Sequence, residues 1–183
     1  MRVVAADVHV AAIGDSITAG SPWDDDPAIG WPAAAASADP RLRFTVRAVY
    51  GKRTDEIATW LDEAVAGADV LVVQGGINDI AQGRPVADAA ANLGSMIGRG
   101  RQRGVRVVVA NVLPWNNGWP SAEASIRELN ALIAGLGVPV LAFHETLEDT
   151  ERPGRMREEW TCDGDHPSLE GYRRLGELAF RLP

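Results

Sequence analysis

The chain of 183 residues contains a single cysteine, Cys162, so no disulfide can form within it. It also lacks any apolar run close to the roughly 18 residues that a membrane-spanning helix needs. No secretory signal pattern precedes the first strand-like segment, which begins almost at the N-terminus. We therefore expect a cytoplasmic protein without integral membrane association, although a secreted chain that had lost its signal would begin in the same way.

Positive charge is scarce as well. The chain has 18 Lys and Arg against 25 Asp and Glu, which gives a net charge of −7, and it has no long uninterrupted run of basic residues. Proteins that bind nucleic acid or an anionic membrane usually present a basic surface. The charge balance therefore argues against either as the main partner.

Sequence motifs for cofactors and metals are also missing. There is no zinc-ligand spacing, no phosphate-binding loop and no Gly-x-Gly-x-x-Gly fingerprint. Residues 24–26 are three consecutive aspartates, but adjacent carboxylates cannot all face one ion. We predict neither a cofactor nor a bound metal.

What the sequence does contain is a regular alternation of strand-like and helix-like segments. Short apolar runs typical of buried strands are followed by stretches in which apolar residues recur at helical spacing. This alternation predicts one α/β domain over residues 1–183, a three-layer α/β/α sandwich around a five-stranded parallel sheet. The predicted strands are residues 8–13, 42–49, 70–74, 105–111 and 138–143.

Several polar or small residues follow directly after these predicted strands. Ser16 follows the first strand, Gly51 the second and Asn78 the third, and a loop over residues 111–119 follows the fourth. Ligands of open parallel sheets bind beyond the carboxyl ends of the strands. We therefore expect a binding site at the edge of the sheet where these residues converge.

Ser16 and His166 are the candidate reactive pair at this edge. A serine hydroxyl is a weak nucleophile unless a base removes its proton during attack, and an imidazole can serve as that base near neutral pH. Asp163 or Asp165 could accept a hydrogen bond from the other ring nitrogen. The remaining histidines fit less well: His9 lies within the first strand, and His144 follows the fifth.

Four segments in this order resemble the signature blocks of the SGNH (GDSL-type) hydrolases. They are Gly14-Asp15-Ser16, Tyr50-Gly51, Gly76-Ile77-Asn78-Asp79 and Asp163-Gly164-Asp165-His166, and together they extend over nearly the whole chain. The second block departs from the Asn-x-Gly form common in the family, since Val49 stands at the Asn position. The resemblance implies a sheet of flavodoxin-like order 2-1-3-4-5.

The resemblance also implies a role for each matching residue. Ser16 would be the nucleophile, His166 the general base and Asp163, at the family's Asp-x-x-His spacing, the residue that orients the base. The backbone N–H groups of Ser16 and Gly51 and the side-chain amide of Asn78 would bind the oxyanion. Asp15 and Asp79 match positions that we interpret as structural.

Ester hydrolysis through an acyl-enzyme is the activity that this resemblance implies, on a small-molecule or acylated substrate. Deacetylation of a carbohydrate and hydrolysis of a thioester or lysophospholipid use the same residues and stay open. Acyl transfer to another alcohol and non-catalytic ligand binding are alternatives from other classes. A binding module has no use for the complete set of Ser16, Asn78, Asp163 and His166, which argues against the last.

Aromatic residues near the predicted site suggest contacts with substrate. Six tryptophans stand against two tyrosines and three phenylalanines. Trp23, Trp115, Asn116 and Trp160 are our candidate substrate-binding residues, because exposed aromatic rings can hold an acyl chain or stack on a sugar. The alternative is that most of these tryptophans pack loops onto the body of the protein.

Overall fold

The computed structural model describes residues 7–20 and 29–183, and the centre of the described structure is a sheet of five parallel strands. In space the strands follow the order β2-β1-β3-β4-β5, which confirms the predicted sheet and its order. Numbered along the chain, they are β1 (Val8–Gly14), β2 (Leu42–Ala48), β3 (Val70–Val73), β4 (Arg106–Ala110) and β5 (Val140–Leu141).

Helices connect the strands, as the alternating sequence pattern predicts. Two of them, α6 and α7, are long and amphipathic, whereas several others have only one or two turns. The α-helices of the described residues are α1 (Ser16–Ala19), α2 (Trp31–Ala38), α3 (Thr54–Ile57), α4 (Leu61–Ala64), α5 (Ile77–Ala81), α6 (Val86–Gln102), α7 (Ala122–Ala134), α8 (Phe143–Leu147) and α9 (Leu169–Arg174).

The central strands of the sheet are buried on both faces. Successive side chains of a strand point to opposite sides, so Ala11 and Ile13 of β1 enter one apolar cluster while Val10 and Ala12 enter the other. The first cluster includes side chains of α3, α4, α6 and α7, and the second includes side chains of α2, α8 and α9. The result is the predicted α/β/α sandwich, in which the buried second half of β1 leads directly to Ser16.

Predicted strand ends were too long in places. Val49, Gln74 and Asn111 lie just beyond the last residues of β2, β3 and β4, and Phe143 begins α8 instead of ending β5. The paired part of β5 is short because only Val109 and Ala110 of β4 oppose it. The loops after β1, β2, β3 and β4 leave from one edge of the sheet, which places the predicted site residues together.

None of the helices within residues 7–20 and 29–183 has both the length and the apolar character of a membrane span.

Candidate active site

Ser16 begins α1, directly after a tight junction with β1. Asp15 caps the helix, because its Oδ1 accepts a hydrogen bond from the backbone N–H of Ile17 at 3.0 Å. The backbone N–H of Asp15 donates to Gln74 Oε1 at 3.2 Å, and the same oxygen accepts from Thr18 Oγ1 at 2.8 Å. A Cβ on Gly14 would collide with Gln74 and Thr18, so this junction requires glycine.

Ser16, His166 and Asp163 form a continuous chain of hydrogen-bonding groups. His166 Nε2 lies 3.1 Å from Ser16 Oγ, and His166 Nδ1 lies 2.8 Å from Asp163 Oδ2. The other carboxylate oxygen, Asp163 Oδ1, accepts from the backbone N–H of His166 at 2.7 Å. These distances suit proton transfer between serine and imidazole and orientation of the imidazole by the carboxylate.

The environment keeps the Asp163 carboxylate ionised. Partial burial by itself would raise its pKa, but hydrogen bonds from the His166 ring and from the backbone N–H groups of His166 and Asp165 outweigh that effect. The pKa of Asp163 is therefore below its ordinary value. Asp165, the other candidate for orienting His166, instead accepts a hydrogen bond from Trp115 Nε1 at 2.6 Å.

Asp15 is a second carboxyl group close to the serine, in a very different environment. It is fully buried, and burial raises its pKa to about 6 against the lowering effect of its hydrogen bond from Ile17. Among the described residues, its Oδ2 atom has no hydrogen-bond partner. Through its hydrogen bond from Ile17, Asp15 helps to fix the backbone that carries Ser16.

Gly51 lies on the loop after β2 and Asn78 on α5, and hydrogen bonds tie these two segments to each other. Asn78, in the first turn of α5, donates from Nδ2 to the carbonyl of Lys52 at 3.2 Å. Buried Asp79 accepts hydrogen bonds from the backbone N–H of Thr54 at 2.9 Å and from its hydroxyl at 2.7 Å. Gly51 has a φ of +73°, a conformation that favours glycine. These bonds fix the loop after β2 against α5 at the edge of the sheet that carries Ser16.

The predicted substrate residues on the loop after β4 are held by protein groups. Asn116 uses its side-chain amide on the backbone of Met156, donating to the carbonyl at 2.9 Å and accepting from the N–H at 2.6 Å. Trp115 packs edge-on against Trp119, with ring centroids 5.2 Å apart, and its indole N–H reaches Asp165. Substrate contacts of Trp115 and Asn116 stay a prediction.

The other two predicted substrate residues fall in different places. Trp160 contacts two guanidinium groups, with Arg174 4.0 Å and Arg157 5.1 Å from its ring centroid. It also packs against the second apolar cluster. Trp23 lies outside the described residues. The position of Trp160 therefore favours the alternative in which a tryptophan packs a loop onto the body of the protein.

The remaining histidines make contacts away from Ser16. His9 lies between the carbonyl of Gly67, 2.9 Å from its Nδ1, and the hydroxyl of Thr45, 2.7 Å from its Nε2. His144 is buried, and its Nδ1 lies 2.8 Å from the carbonyl of Val112. Of the three histidines, His166 is therefore the one that the fold brings to the serine.

A small, mainly apolar pocket adjoins the Ser16–His166 pair. Ile17, the neighbour of Ser16, and Asp165, the neighbour of His166, both contribute to its wall. Its open space, counted out to the surrounding solvent, is about 310 Å³. The rest of the wall comes from the ends of β3 and β4 and the segments that follow them: Gln74, Ile77, Asn111, Val112, Leu113, Pro114 and Trp115.

Sequence reasoning missed Gln74 and Asn117. Gln74 is buried and holds the Gly14–Thr18 junction, and Asn117 donates from Nδ2 to the carbonyl of Asp163 at 2.7 Å. A polar residue that ends a run of buried valines was a usable signal for Gln74. The sequence contains no comparable signal for Asn117, because its hydrogen-bond partner Asp163 is 46 residues away.

Comparison with known proteins identifies the family of the chain. A sequence model of the GDSL-like lipase/acylhydrolase family matches residues 12–174, from within β1 to the end of α9. That segment contains all four of the blocks identified in the sequence. The chain is a hydrolase that belongs to the GDSL-like lipase/acylhydrolase family.

Solved structures of GDSL proteins share the fold. A lipolytic protein of the G-D-S-L family from Desulfitobacterium hafniense matches with a TM-score of 0.82 and 20% identity, covering 93% of this chain and 97% of the other. One from Veillonella parvula has a TM-score of 0.79 and 20% identity, with 92% and 94% covered. A GDSL-like lipase from Bacteroides thetaiotaomicron has a TM-score of 0.77 and 21% identity, with 93% and 84% covered. A search of curated proteins gave no match.

Proposed function

We propose that the protein hydrolyses carboxylic esters through an acyl-enzyme formed on Ser16. The observation that supports this most directly is the chain of contacts from Asp163 through His166 to Ser16, at 2.8 Å and 3.1 Å. A nucleophile, a base within reach of it and a carboxylate that orients the base are the elements of acyl transfer.

In this mechanism Ser16 Oγ attacks the ester carbonyl while His166 Nε2 takes the hydroxyl proton. His166 then returns that proton to the departing alcohol, which leaves the acyl group on Ser16. A water molecule activated by His166 attacks the acyl-enzyme and releases the acid. The Asp163 carboxylate holds the imidazole and stabilises its charged form.

Each attack places negative charge on the carbonyl oxygen, which needs hydrogen-bond donors. We assign this role to the backbone N–H groups of Ser16 and Gly51 and to the amide of Asn78. An amide carries two N–H donors, and the bond from Asn78 to Lys52 uses one of them. Loss of one such donor costs about 3–4 kcal/mol of transition-state stabilisation in other hydrolases.

The pocket next to Ser16 favours short acyl groups. The enclosed part of this pocket has room for only about one water-sized group, so it cannot hold a long acyl chain. Apolar side chains such as Ile17, Val112 and Leu113 line it. We therefore expect acetyl to butyryl esters to be cleaved faster than long-chain esters, which favours deacetylation over lipid hydrolysis.

Initial rates on p-nitrophenyl esters from acetate to palmitate test this function. We expect turnover by the wild type, with a maximum at short chains, and a loss of kcat on the order of 10⁴-fold or more in Ser16→Ala. Ser125→Ala, which changes a half-buried serine of α7, is the matched control and should retain wild-type rates. Full turnover by Ser16→Ala would overturn the assignment, and added alcohol would reveal acyl transfer as a second product.

A further inference from the structure

His166, the general base of the proposed mechanism, lies on a turn outside the sheet and the long helices. The two ends of this turn, residues 161–167, are joined by an isolated antiparallel bridge between Thr161 and Pro167. Within the turn, Cys162 N–H donates to the carbonyl of His166 at 3.0 Å, and Gly164 N–H donates to Thr161 Oγ1 at 2.8 Å. These bonds shape the turn itself, but they do not place it over Ser16.

Three consecutive residues of the loop after β4 bind three consecutive residues of this turn, in reverse order. Trp115 Nε1 donates to Asp165 Oδ1 at 2.6 Å, and the backbone N–H of Asn116 donates to the carbonyl of Gly164 at 2.9 Å. Asn117 Nδ2 donates to the carbonyl of Asp163 at 2.7 Å. We call this set of three hydrogen bonds the clasp.

The clasp closes tightly around Gly164. A Cβ at this position would lie 2.8 Å from both Nδ2 and Oδ1 of Asn117. Gly164 also has a φ of +87°, a region that residues with a side chain rarely adopt. Both the contact and the backbone conformation therefore require glycine between Asp163 and Asp165.

The loop that provides the clasp is itself held to the body of the protein. Trp115 packs against the first apolar cluster and against Trp119. Further back, Asn130 of α7 accepts from the N–H of Val112 at 2.7 Å and donates to its carbonyl at 2.9 Å. The clasp therefore connects the turn to a loop that is itself held by the core and by α7.

We infer that Trp115 and Asn117 are positioning residues, which hold the Asp163–His166 pair at the distance from Ser16 that proton transfer requires. The inference rests on the proposed function. Neither side chain has to touch the reacting atoms, because each acts through the turn that carries the base. A shift of about 1 Å in a catalytic group can cost on the order of 100-fold in rate, so the bonds of the clasp should influence kcat far more than KM.

Two substitutions remove donors of the clasp with little other change. Trp115→Phe deletes the indole N–H and keeps an aromatic ring in the packed position, and Asn117→Ala deletes the amide. We expect kcat to fall at least tenfold in each variant, with KM within about threefold of wild type. Trp119→Phe is the matched control, because Trp119 makes no hydrogen bond to the turn within the described residues, and its kcat should stay within threefold.

The acceptor side gives a rescue experiment. Asp165→Asn keeps an oxygen that can accept from Trp115, whereas Asp165→Ala does not. We expect near wild-type kcat for the first and a loss similar to that of Trp115→Phe for the second. The double variant Trp115→Phe with Asp165→Ala should be no slower than either single variant, because both remove the same bond. A variant that simply unfolds is recognised by its thermal transition.

A spectroscopic measurement separates failure of this inference from failure of the proposed function. The proton shared by His166 Nδ1 and Asp163 should give a low-field NMR signal in the wild type, which broadens or disappears in Asn117→Ala. This result does not depend on any ester being a substrate. Wild-type kcat in both clasp variants, or an unchanged low-field signal in Asn117→Ala, would overturn the inference while leaving the role of Ser16 intact.

Discussion

The two ends of the proposed triad are held in place by different physical means. Ser16 follows a strand whose last five residues are buried, its own side chain is almost inaccessible, and its neighbour Asp15 is fully buried. His166 and Asp163 lie on a turn, and their side chains are 21% and 23% exposed. The serine is held within the packed core, where buried hydrogen bonds to Gln74 and Asp15 add to the packing. The histidine, by our inference, is positioned by hydrogen bonds at a partly exposed turn.

This difference predicts how substitutions at each end of the site should change the free energy of unfolding and the activity. Core packing is coupled to the whole fold, so a change near Ser16 should lower the free energy of unfolding together with activity. Hydrogen bonds at a partly exposed turn contribute about 1 kcal/mol each to stability. Changes near His166 should therefore reduce activity while the protein stays folded.

The largest expected effect is that of Gly14→Ala at the serine end. The added methyl group would meet Gln74 Oε1 and lie 2.7 Å from Thr18 Oγ1, inside the buried junction. Overpacking of this kind costs about 1–3 kcal/mol, and relief of the contact would displace Ser16. We expect a reduced free energy of unfolding in urea and a loss of esterase activity.

Gly98→Ala is the matched control for that substitution. Gly98 lies inside α6, and apart from the helix's own backbone no described atom is within 4 Å of its added Cβ. Alanine is the better helix former by about 0.5–1 kcal/mol, so this variant should be slightly more stable and fully active. If Gly14→Ala were equally harmless, core packing would not be what positions the serine.

A second prediction concerns the pH dependence of stability at the serine end. Burial raises the pKa of Asp15 to about 6, against about 3.9 in an unfolded chain. The folded protein therefore binds this proton more tightly, so Asp15 favours folding at low pH and stability is lost as the pH rises from about 4 to 6. The cost at neutral pH is on the order of 3 kcal/mol.

Urea unfolding of wild type and Asp15→Asn between pH 4 and pH 7 measures this effect. The stability of the wild type relative to the variant should fall as the pH rises and should level off above about pH 6. A difference that is constant over this range would mean that Asp15 does not titrate there.

The smallest effect, with the opposite sign, is expected at the histidine end. Hydrogen bonds from His166 and Asp165 lower the pKa of Asp163 despite its partial burial. Asp163 therefore contributes stability above the pKa of the unfolded carboxyl, and this contribution is lost as the pH falls. The contribution is smaller than that of Asp15 because solvent reaches the side chain.

Asp163→Asn, followed by the same urea titration between pH 3 and pH 6, checks the sign. Relative to the variant, the wild type should gain stability as the pH rises, whereas Asp15 predicts a decrease. If both aspartates gave slopes of the same sign, the contrast between a buried end and an open end of the site would be wrong.

The fold could be predicted from the sequence because its signals are local. The run Val70 to Val73 is apolar throughout, and the apolar stripes of α6 and α7 repeat at helical spacing, so strand and helix follow from each segment alone. The motif residues Ser16 and His166 could be named because they resemble a known pattern. Local signals were less accurate at element ends, as the short β5 shows.

The support of the site could not be predicted, because it consists of contacts between distant segments. Trp115 and Asp165 are 50 residues apart, and no periodicity or composition links them. The sequence suggested that Trp115 and Asn116 bind substrate, since aromatic and amide side chains near a site are common ligand contacts. The hydrogen bonds of these residues to the protein depend on the tertiary fold and are visible only there.

The bond between Ser16 and His166 has a consequence for folding. These residues are 150 positions apart, and closing so long a loop costs several kcal/mol of chain entropy, more than one hydrogen bond returns. The sheet must therefore bring them together before the bond can form. Recovery of esterase activity during refolding should lag behind recovery of helix signal, so the activity reports completion of the native topology.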